Sequence, residues 1–515
     1  MNQPPPDAQR EDRNRTVSGG FVRNSMLNLL GQVVPLGIAA VAVPFIVHDL
    51  GLERYGLLSL SWILLGYVSF LDFGLGRATT NAVAYYASSS RQGETAGVIW
   101  VSLRLNGALG VLGAVIAFQL TPILVDKVFG VPAALREEAV RMFTMLALSV
   151  PLVTMAMTLR GALEGVHRFD LANVVKAPSL ALMFVIPMFG KPFSLDLGEI
   201  VGLIVVSRLL TVLVYGYFVW RQIPGLFDFR KPHSSTVKSL VRFAGWITVS
   251  NVFSPVLNYA ERLLIPALLP LGVLAFYTAP YEIISRLPMI PASVAATLYP
   301  AFSSDQYEDL PTLASDLLVK PTKYLLMMVT PVASLFIFFA PEILQFWLGE
   351  EFRRESMVLL PILSLGFFFN CLAHIPLAAV QGLGRPDLRA KLDIGEAVVF
   401  LALTVFLIQT LGINGAALAK SIVLFLDVVI MFFLARRILK VQWAMLLPRE
   451  LSDFLILSIV FLLSGMALSL SDTGLAVRGA VFLAGLVSLL SFFWFRTLSG
   501  DGTVLRSLLA RMISK

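Results

Sequence analysis

Apolar residues run along this chain in blocks of about twenty, separated by short stretches rich in Arg, Gly, Pro and Asp, with no strand-like alternation over any long segment. A block of that length matches the hydrocarbon thickness of a bilayer when coiled as a helix. On this criterion spans are predicted near residues 25–47, 56–75, 97–120, 141–159, 172–189 and 199–220. After a basic polar stretch they resume near 243–265, 272–300, 322–347, 357–381, 392–411 and 414–435, and two more follow near 452–470 and 476–495. The pattern predicts an all-α polytopic membrane protein of about fourteen transmembrane helices. The expected organisation is an N-terminal arm (1–23), a first lobe of six spans (24–220), a linker (221–242), a second lobe of six (243–438), two extra helices (439–497) and a tail (498–515).

Composition excludes most other classes. Of 515 residues 57% are hydrophobic and 14% charged, so little chain remains for a large extramembrane domain once the spans are assigned. The apolar run from Met26 to Val47 is too long for a signal peptide and is expected to remain as the first helix. A single cysteine, Cys371, lies in an apolar run, and His48, His167, His233 and His374 are far apart, so neither a disulfide nor a metal site is expected. With both termini cytoplasmic, 27 of the 40 basic residues fall on the cytoplasmic side and six on the other. That asymmetry accounts for the net charge of +7 without a nucleic-acid partner. The expected location is the inner (plasma) membrane.

The chain repeats itself. Leu163-Glu-Gly-Val-His-Arg-Phe-Asp-Leu171 matches Val380-Gln-Gly-Leu-Gly-Arg-Pro-Asp-Leu388, with Gly165, Arg168, Asp170 and Leu171 set against Gly382, Arg385, Asp387 and Leu388. Leu50-Gly51 with Leu271-Gly272, Gly130 with Gly349, and Leu197-Gly198 with Leu411-Gly412 echo at similar offsets. A duplicated unit of six spans, an even number, gives two lobes of the same orientation, and substrate sites in such folds lie between the halves.

These motifs carry a family resemblance. Leu50-Gly-Leu-Glu-Arg-Tyr-Gly-Leu-Leu58, Leu71-Asp-Phe-Gly-Leu75, the Glu-Gly-x-x-Arg-Phe loop at 164–169, Tyr299-Pro-Ala-Phe-Ser303 and Gln-Gly-x-Gly-Arg at 381–385 resemble the Wzx-type polysaccharide-export flippases. Those belong to the multidrug/oligosaccharidyl-lipid/polysaccharide (MOP) exporter superfamily. The resemblance implies a V-shaped two-lobed bundle that is not an enzyme. It further implies transfer of undecaprenyl-pyrophosphate-linked oligosaccharide to the periplasmic leaflet for O-antigen, lipopolysaccharide or exopolysaccharide synthesis. Expected partners are the lipid-linked oligosaccharide, membrane lipids and other polysaccharide assembly proteins, around a functional monomer. No cofactor is expected beyond a coupling H+ or Na+.

Ionisable groups inside spans are costly and are therefore the first candidates for function. Asn251, Ser254, Asn258, Glu261 and Arg262 recur at three- and four-residue steps in the seventh span, as do Thr278, Glu282 and Arg286 in the eighth. Arg104, Arg208, Arg262, Arg286 and Asn258 are the expected cavity-lining, substrate-binding residues, and Asn24, Asn28 and Gln32 form a further polar stripe. The plainer reading is that Glu282 and Arg286 satisfy each other at i, i+4 and that Arg262 snorkels to an interface, as Lys176 is expected to do. Glu261, Glu282, Lys420, Asp427 and Asp72 are candidates for coupling or gating. Lys420 and Asp427 share a face as a structural pair or an ion relay, and Asp72 is read as part of a structural cytoplasmic gate. Asp393 and Glu396, beside Arg389 and Lys391, read as an ordinary solvated helix end. Prolines are dense in the spans, with Pro280, Pro288, Pro291 and Pro300 in the eighth alone, which suits a helix that bends.

A drug or metabolite exporter and a peptidoglycan-precursor flippase are the rival transport readings. A membrane polysaccharide polymerase or ligase would need a larger extracytoplasmic loop than the longest one expected, 121–138.

Overall fold

The structure is a computed structural model that describes residues 34–68, 72, 74–87, 94–223, 225–226, 256–302, 310–471 and 473–495. The chain separates into two compact units, the first comprising residues up to Tyr259 with Pro270–Ala275, the second Ala260–Leu269 with residues from Phe276 onward. Among the described residues, secondary structure is helical throughout.

In the first unit α1 (Val34–Leu50), α2 (Leu52–Val68) and α3 (Leu75–Ala87) precede four long helices. These are α4 (Thr95–Ile123), α5 (Arg136–Gly165), α6 (Phe169–Met188) and α7 (Leu197–Gln222). On the second half of α4 most exposed positions are apolar, Val111, Leu112, Val115, Ile116 and Phe118 among them, whereas Ser102, Asn106, Gly110 and Thr121 are buried. That is the reverse of a soluble helix, because lipid rather than water surrounds the bundle and polar groups must find partners inside it. Helices approach closely where side chains are absent: a Cβ on Gly165 of α5 would lie 2.8 Å from the Thr80 carbonyl of α3. The start of α7 is fixed by a capping box, Glu199 N–H donating to Asp196 and Asp196 N–H to Glu199, both at 2.8 Å. Buried Glu138 of α5 joins this end, accepting from Leu197 N–H at 2.9 Å and from Arg54 Nε of α2 at 3.0 Å.

The second unit contains the helix over residues 256–268 from position 260 onward (α8), most of α9 (Val273–Ile284), α10 (Met289–Phe302) and α11 (Leu310–Ala314). It continues with α12 (Lys320–Phe338), α13 (Ala340–Leu348), α14 (Glu350–Ser356), α15 (Leu359–Gly382) and α16 (Pro386–Leu439), and ends with α17 (Trp443–Leu446), α18 (Arg449–Ser469) and α19 (Leu475–Phe493). The 54 residues of α16 are two helices, because Gly412 sits at φ 60°, ψ −140° and breaks the helical path. A Cβ on Gly415 would collide with the Leu407 carbonyl, although residues eight apart in a straight helix are about 12 Å from each other. The chain therefore folds back on itself at Gly412, and the predicted eleventh and twelfth spans are the arms of this hairpin. Helix α15 packs along α16, α12 packs on α15 and α18, and α18 on α19. Phe338, Phe461 and Phe482 meet ring to ring where α12, α18 and α19 converge. Buried Arg478 of α19 donates to Glu342 of α13 at 3.0 Å, tying the C-terminal pair to the unit.

Among the described residues, nine helices are long and apolar enough to cross a membrane, α16 counting once. The predicted first and seventh spans begin outside the described residues. The second is described from Leu52 to Val68. The eighth is not one helix: a turn over residues 285–288 separates α9 from α10, at the point where Pro288 removes a backbone donor and restricts the residue before it. The bend expected from its prolines is thus a break. Asn24, Asn28, Gln32, Asn251, Ser254, the N-terminal arm, the tail and most of the linker lie outside the described residues.

The duplicated loops have the same backbone. In the first, Arg168 N–H donates to Leu163 O (2.9 Å) and His167 N–H to Glu164 O (3.0 Å). In the second, Arg385 N–H donates to Val380 O (3.1 Å) and Gly384 N–H to Gln381 O (3.1 Å). Both are Schellman turns closing a helix. The arginine that follows each turn forks onto an aspartate two residues on, Arg168 to Asp170 and Arg385 to Asp387, and in each pair that hydrogen bond raises the guanidinium pKa above its ordinary value.

Candidate functional site

The second unit gathers Glu261 and Arg262 of α8, Tyr281 and Glu282 of α9, Arg286 of the following turn and Lys420 of α16. Arg262 Nη1 donates to Glu282 Oε1 at 3.0 Å and Arg286 Nη2 to Glu282 Oε2 at 3.2 Å, so one carboxylate holds two guanidiniums. The Arg262 guanidinium also stacks over the Tyr281 ring, 4.3 Å from its centroid. One helical turn gives the Glu282–Arg286 bond, and the end of α9 carries it to the surface, where the Arg286 side chain is 45% exposed. Arg262 is buried, so it does not snorkel. Glu261 is fully buried with Lys420 Nζ at 3.5 Å as its charge partner, and Lys420 lies 5.1 Å from the Phe400 ring centroid. Three cations face two carboxylates here. The excess positive charge ends at Arg286, an exposed guanidinium already oriented by a carboxylate, which suits capture of a multiply charged anion.

Lys420 and Asp427 do not pair. Lys420 turns to Glu261, while Asp427 pairs with Arg389, which also meets Asp393 at 2.8 Å and Glu396 at 3.7 Å. Asp393 and Glu396 are therefore not a solvated helix end, and Glu396 is buried. Arg389, Asp393 and Glu396 step by four and three, a spacing that already places them on one helical face.

In the first unit Asp72 is buried and accepts from Gly76 N–H at 2.9 Å through both oxygens and from Asn106 Nδ2 at 2.7 Å. Asn106 reaches Thr158 Oγ1 at 2.6 Å, so one carboxylate caps α3 and links it to α4 and α5. That geometry is structural, at the break between α2 and α3. Arg208 of α7 donates to Ser179 of α6 at 2.7 Å and has no carboxylate partner among the described residues. Arg104 of α4 and Asn258 of α8 are exposed.

Residues 21–306 match the family model described as polysaccharide biosynthesis protein. The chain is 30% identical over 427 residues, 82% of its length and 99% of the relative's, to the "Putative O-antigen transporter" of Shigella flexneri. It is 22% identical over 404 residues, 78% of this chain and 80% of the relative, to the "Probable low-salt glycan biosynthesis flippase Agl15" of Haloferax volcanii. Among solved structures, an inward-facing multidrug resistance MATE family transporter of the MOP superfamily superposes with a TM-score of 0.70 at 17% identity, covering 80% of this chain and 98% of that one. The lipid II flippase MurJ, in an inward closed conformation, superposes with a TM-score of 0.65 at 14% identity, covering 92% and 99%. The chain belongs to the polysaccharide biosynthesis protein family, has the fold of the MOP-superfamily transporters, and is a multi-pass membrane transporter rather than an enzyme.

Proposed function

We propose that this protein flips undecaprenyl-pyrophosphate-linked oligosaccharide units from the cytoplasmic to the periplasmic leaflet of the inner membrane by alternating access, with both termini cytoplasmic. Arg286, half exposed and held by Glu282 beside Arg262, is the observation that supports this reading most. A pyrophosphate crossing the bilayer needs cationic groups that stay charged when partly desolvated, and guanidinium does so while matching phosphate oxygens with its fork. Arg104, exposed and without a described ion pair, Arg208 and Asn258 are the further cavity candidates. The protein acts as a monomer alongside other polysaccharide assembly proteins, without a resident cofactor and with an H+ or Na+ gradient as the driving force.

The test is leaflet-resolved flipping of a lipid-linked oligosaccharide in cells lacking the gene and complemented at native expression. Arg286→Lys, which keeps the charge and loses the fork, is expected to lower flipping at least tenfold, and Arg286→Ala more. Full activity of both variants removes Arg286 from the site. Failure of the deletion to accumulate the lipid-linked unit on the cytoplasmic leaflet removes the substrate assignment.

A further inference from the structure

Near the start of α16 one guanidinium is surrounded by three carboxylates. Arg389 Nε is 2.8 Å from Asp393 Oδ1, its Nη2 is 3.7 Å from Glu396 Oε2, and its Nη1 pairs with Asp427 Oδ1 on the other arm of the hairpin. Glu396 and Asp427 are more than nine-tenths buried, and Glu396 Oε1 has no hydrogen-bond donor among the described residues. Three carboxylates on one guanidinium leave excess negative charge in a buried place, and an ionised Glu396 leaves its Oε1 without a donor, so a proton held by the Glu396 and Asp427 carboxyls supplies the missing compensation. Other charges do not supply the compensation. Lys391 is exposed and pairs with Asp387, as does Arg385. His374 of α15, the helix packed along α16, has Nδ1 3.0 Å from the Asn370 carbonyl. Even with His374 charged, the carboxylates outnumber the cations. A metal ion is a poor alternative, because the guanidinium occupies the centre of the cluster and already takes lone pairs of Asp393 and Asp427. No group of three or more His, Cys, Asp or Glu arranged to hold a metal occurs among the described residues.

We propose that Glu396 and Asp427 form a proton-binding carboxyl pair, positioned by Arg389 and Asp393, and that its proton is the one exchanged when a proton gradient drives transport. The pair straddles the Gly412 hairpin, so loss of the proton drives its arms apart by like-charge repulsion. The second half of the proposal rests on the transporter reading; the first does not.

The first experiment therefore needs no substrate. Infrared titration of the purified full-length protein is expected to show the carbonyl stretch of a protonated carboxyl at neutral pH, lost in Glu396→Gln and in Asp427→Asn and retained in the surface variant Glu355→Gln. A wild-type spectrum without that band, or a band retained in both Glu396→Gln and Asp427→Asn, overturns the site. In proteoliposomes Glu396→Gln, the shape of a protonated glutamate, is expected to keep gradient-independent exchange of lipid-linked substrate and to lose at least tenfold of the acceleration by an imposed pH gradient. Equal acceleration in wild type and Glu396→Gln overturns the coupling role. The titrating band without any lipid-linked transport by the wild type leaves the site standing and overturns the substrate reading instead.

Discussion

His167 and Gly384 hold the same position in the two copies of one turn, and both have positive φ, 59° and 79°. Each is the residue just past a helix end whose N–H closes back onto the preceding turn, at Glu164 and Gln381. A β-carbon is strained in that conformation, and only the second copy has a glycine there.

Gly384→Ala is therefore expected to destabilise the protein by about 1 kcal/mol, and His167→Gly to stabilise it by a few tenths up to about 1 kcal/mol. Thermal unfolding in detergent should show midpoints moving in opposite directions. Unchanged midpoints in both variants would mean that the positive φ at these positions carries no strain.

That turn was legible from letters alone, since Gly165, Arg168 and Asp170 recur as Gly382, Arg385 and Asp387. Spans such as α4, α7 and α18 were legible too, because a bilayer demands long apolar runs whatever they pack against. Partners across helices were not. Spacing on one helix put Lys420 and Asp427 on a common face, yet each pairs with a residue far away in sequence, Glu261 and Arg389. Periodicity fixes which way a side chain points but not what meets it there. Arg389, Asp393 and Glu396 looked solvated because they follow a polar loop, and only the return of the chain at Gly412 buries them against Asp427. The break in the eighth span was half legible: its four prolines announced a distortion, but the letters alone did not single out Pro288 among them as the place of the turn.

Asp72→Asn keeps the volume but leaves one acceptor oxygen where two are used, and Asp72→Ala leaves Gly76 N–H with no acceptor and Asn106 Nδ2 with Thr158 Oγ1 alone. Each unpaired buried donor costs about 1–3 kcal/mol. Melting should fall from wild type to Asn to Ala, with the larger loss at Ala. An unchanged melting point for Asp72→Ala would exclude the capping role.

Arg478 joins α19 to Glu342 of α13, and the two C-terminal helices are expected to need this link for stability rather than for transport. Arg478→Ala should cost about 1–3 kcal/mol, less than a fully buried pair because the Glu342 side chain is 32% exposed. Residual folded protein should flip substrate at the wild-type rate per molecule. A per-molecule defect measured on equal amounts of folded protein would place α19 in the transport cycle.

Glu261 and Lys420 are the most enclosed ion pair at the site, with side chains 0% and 4% exposed. Removing one partner leaves the other charge buried without compensation, a loss of about 3–5 kcal/mol, whereas removing both replaces an ion pair by uncharged groups. Glu261→Gln and Lys420→Met are each expected to lower expression and melting sharply. The double variant should recover most of that loss, a coupling on the order of 2 kcal/mol in a double-mutant cycle. If the pair is structural, the recovered double variant also transports. If Lys420 instead adds its charge to the anion site around Arg262, the double variant melts like wild type but flips lipid-linked substrate poorly. Simple additivity of the two single losses would show that Lys420 and Glu261 do not interact at all.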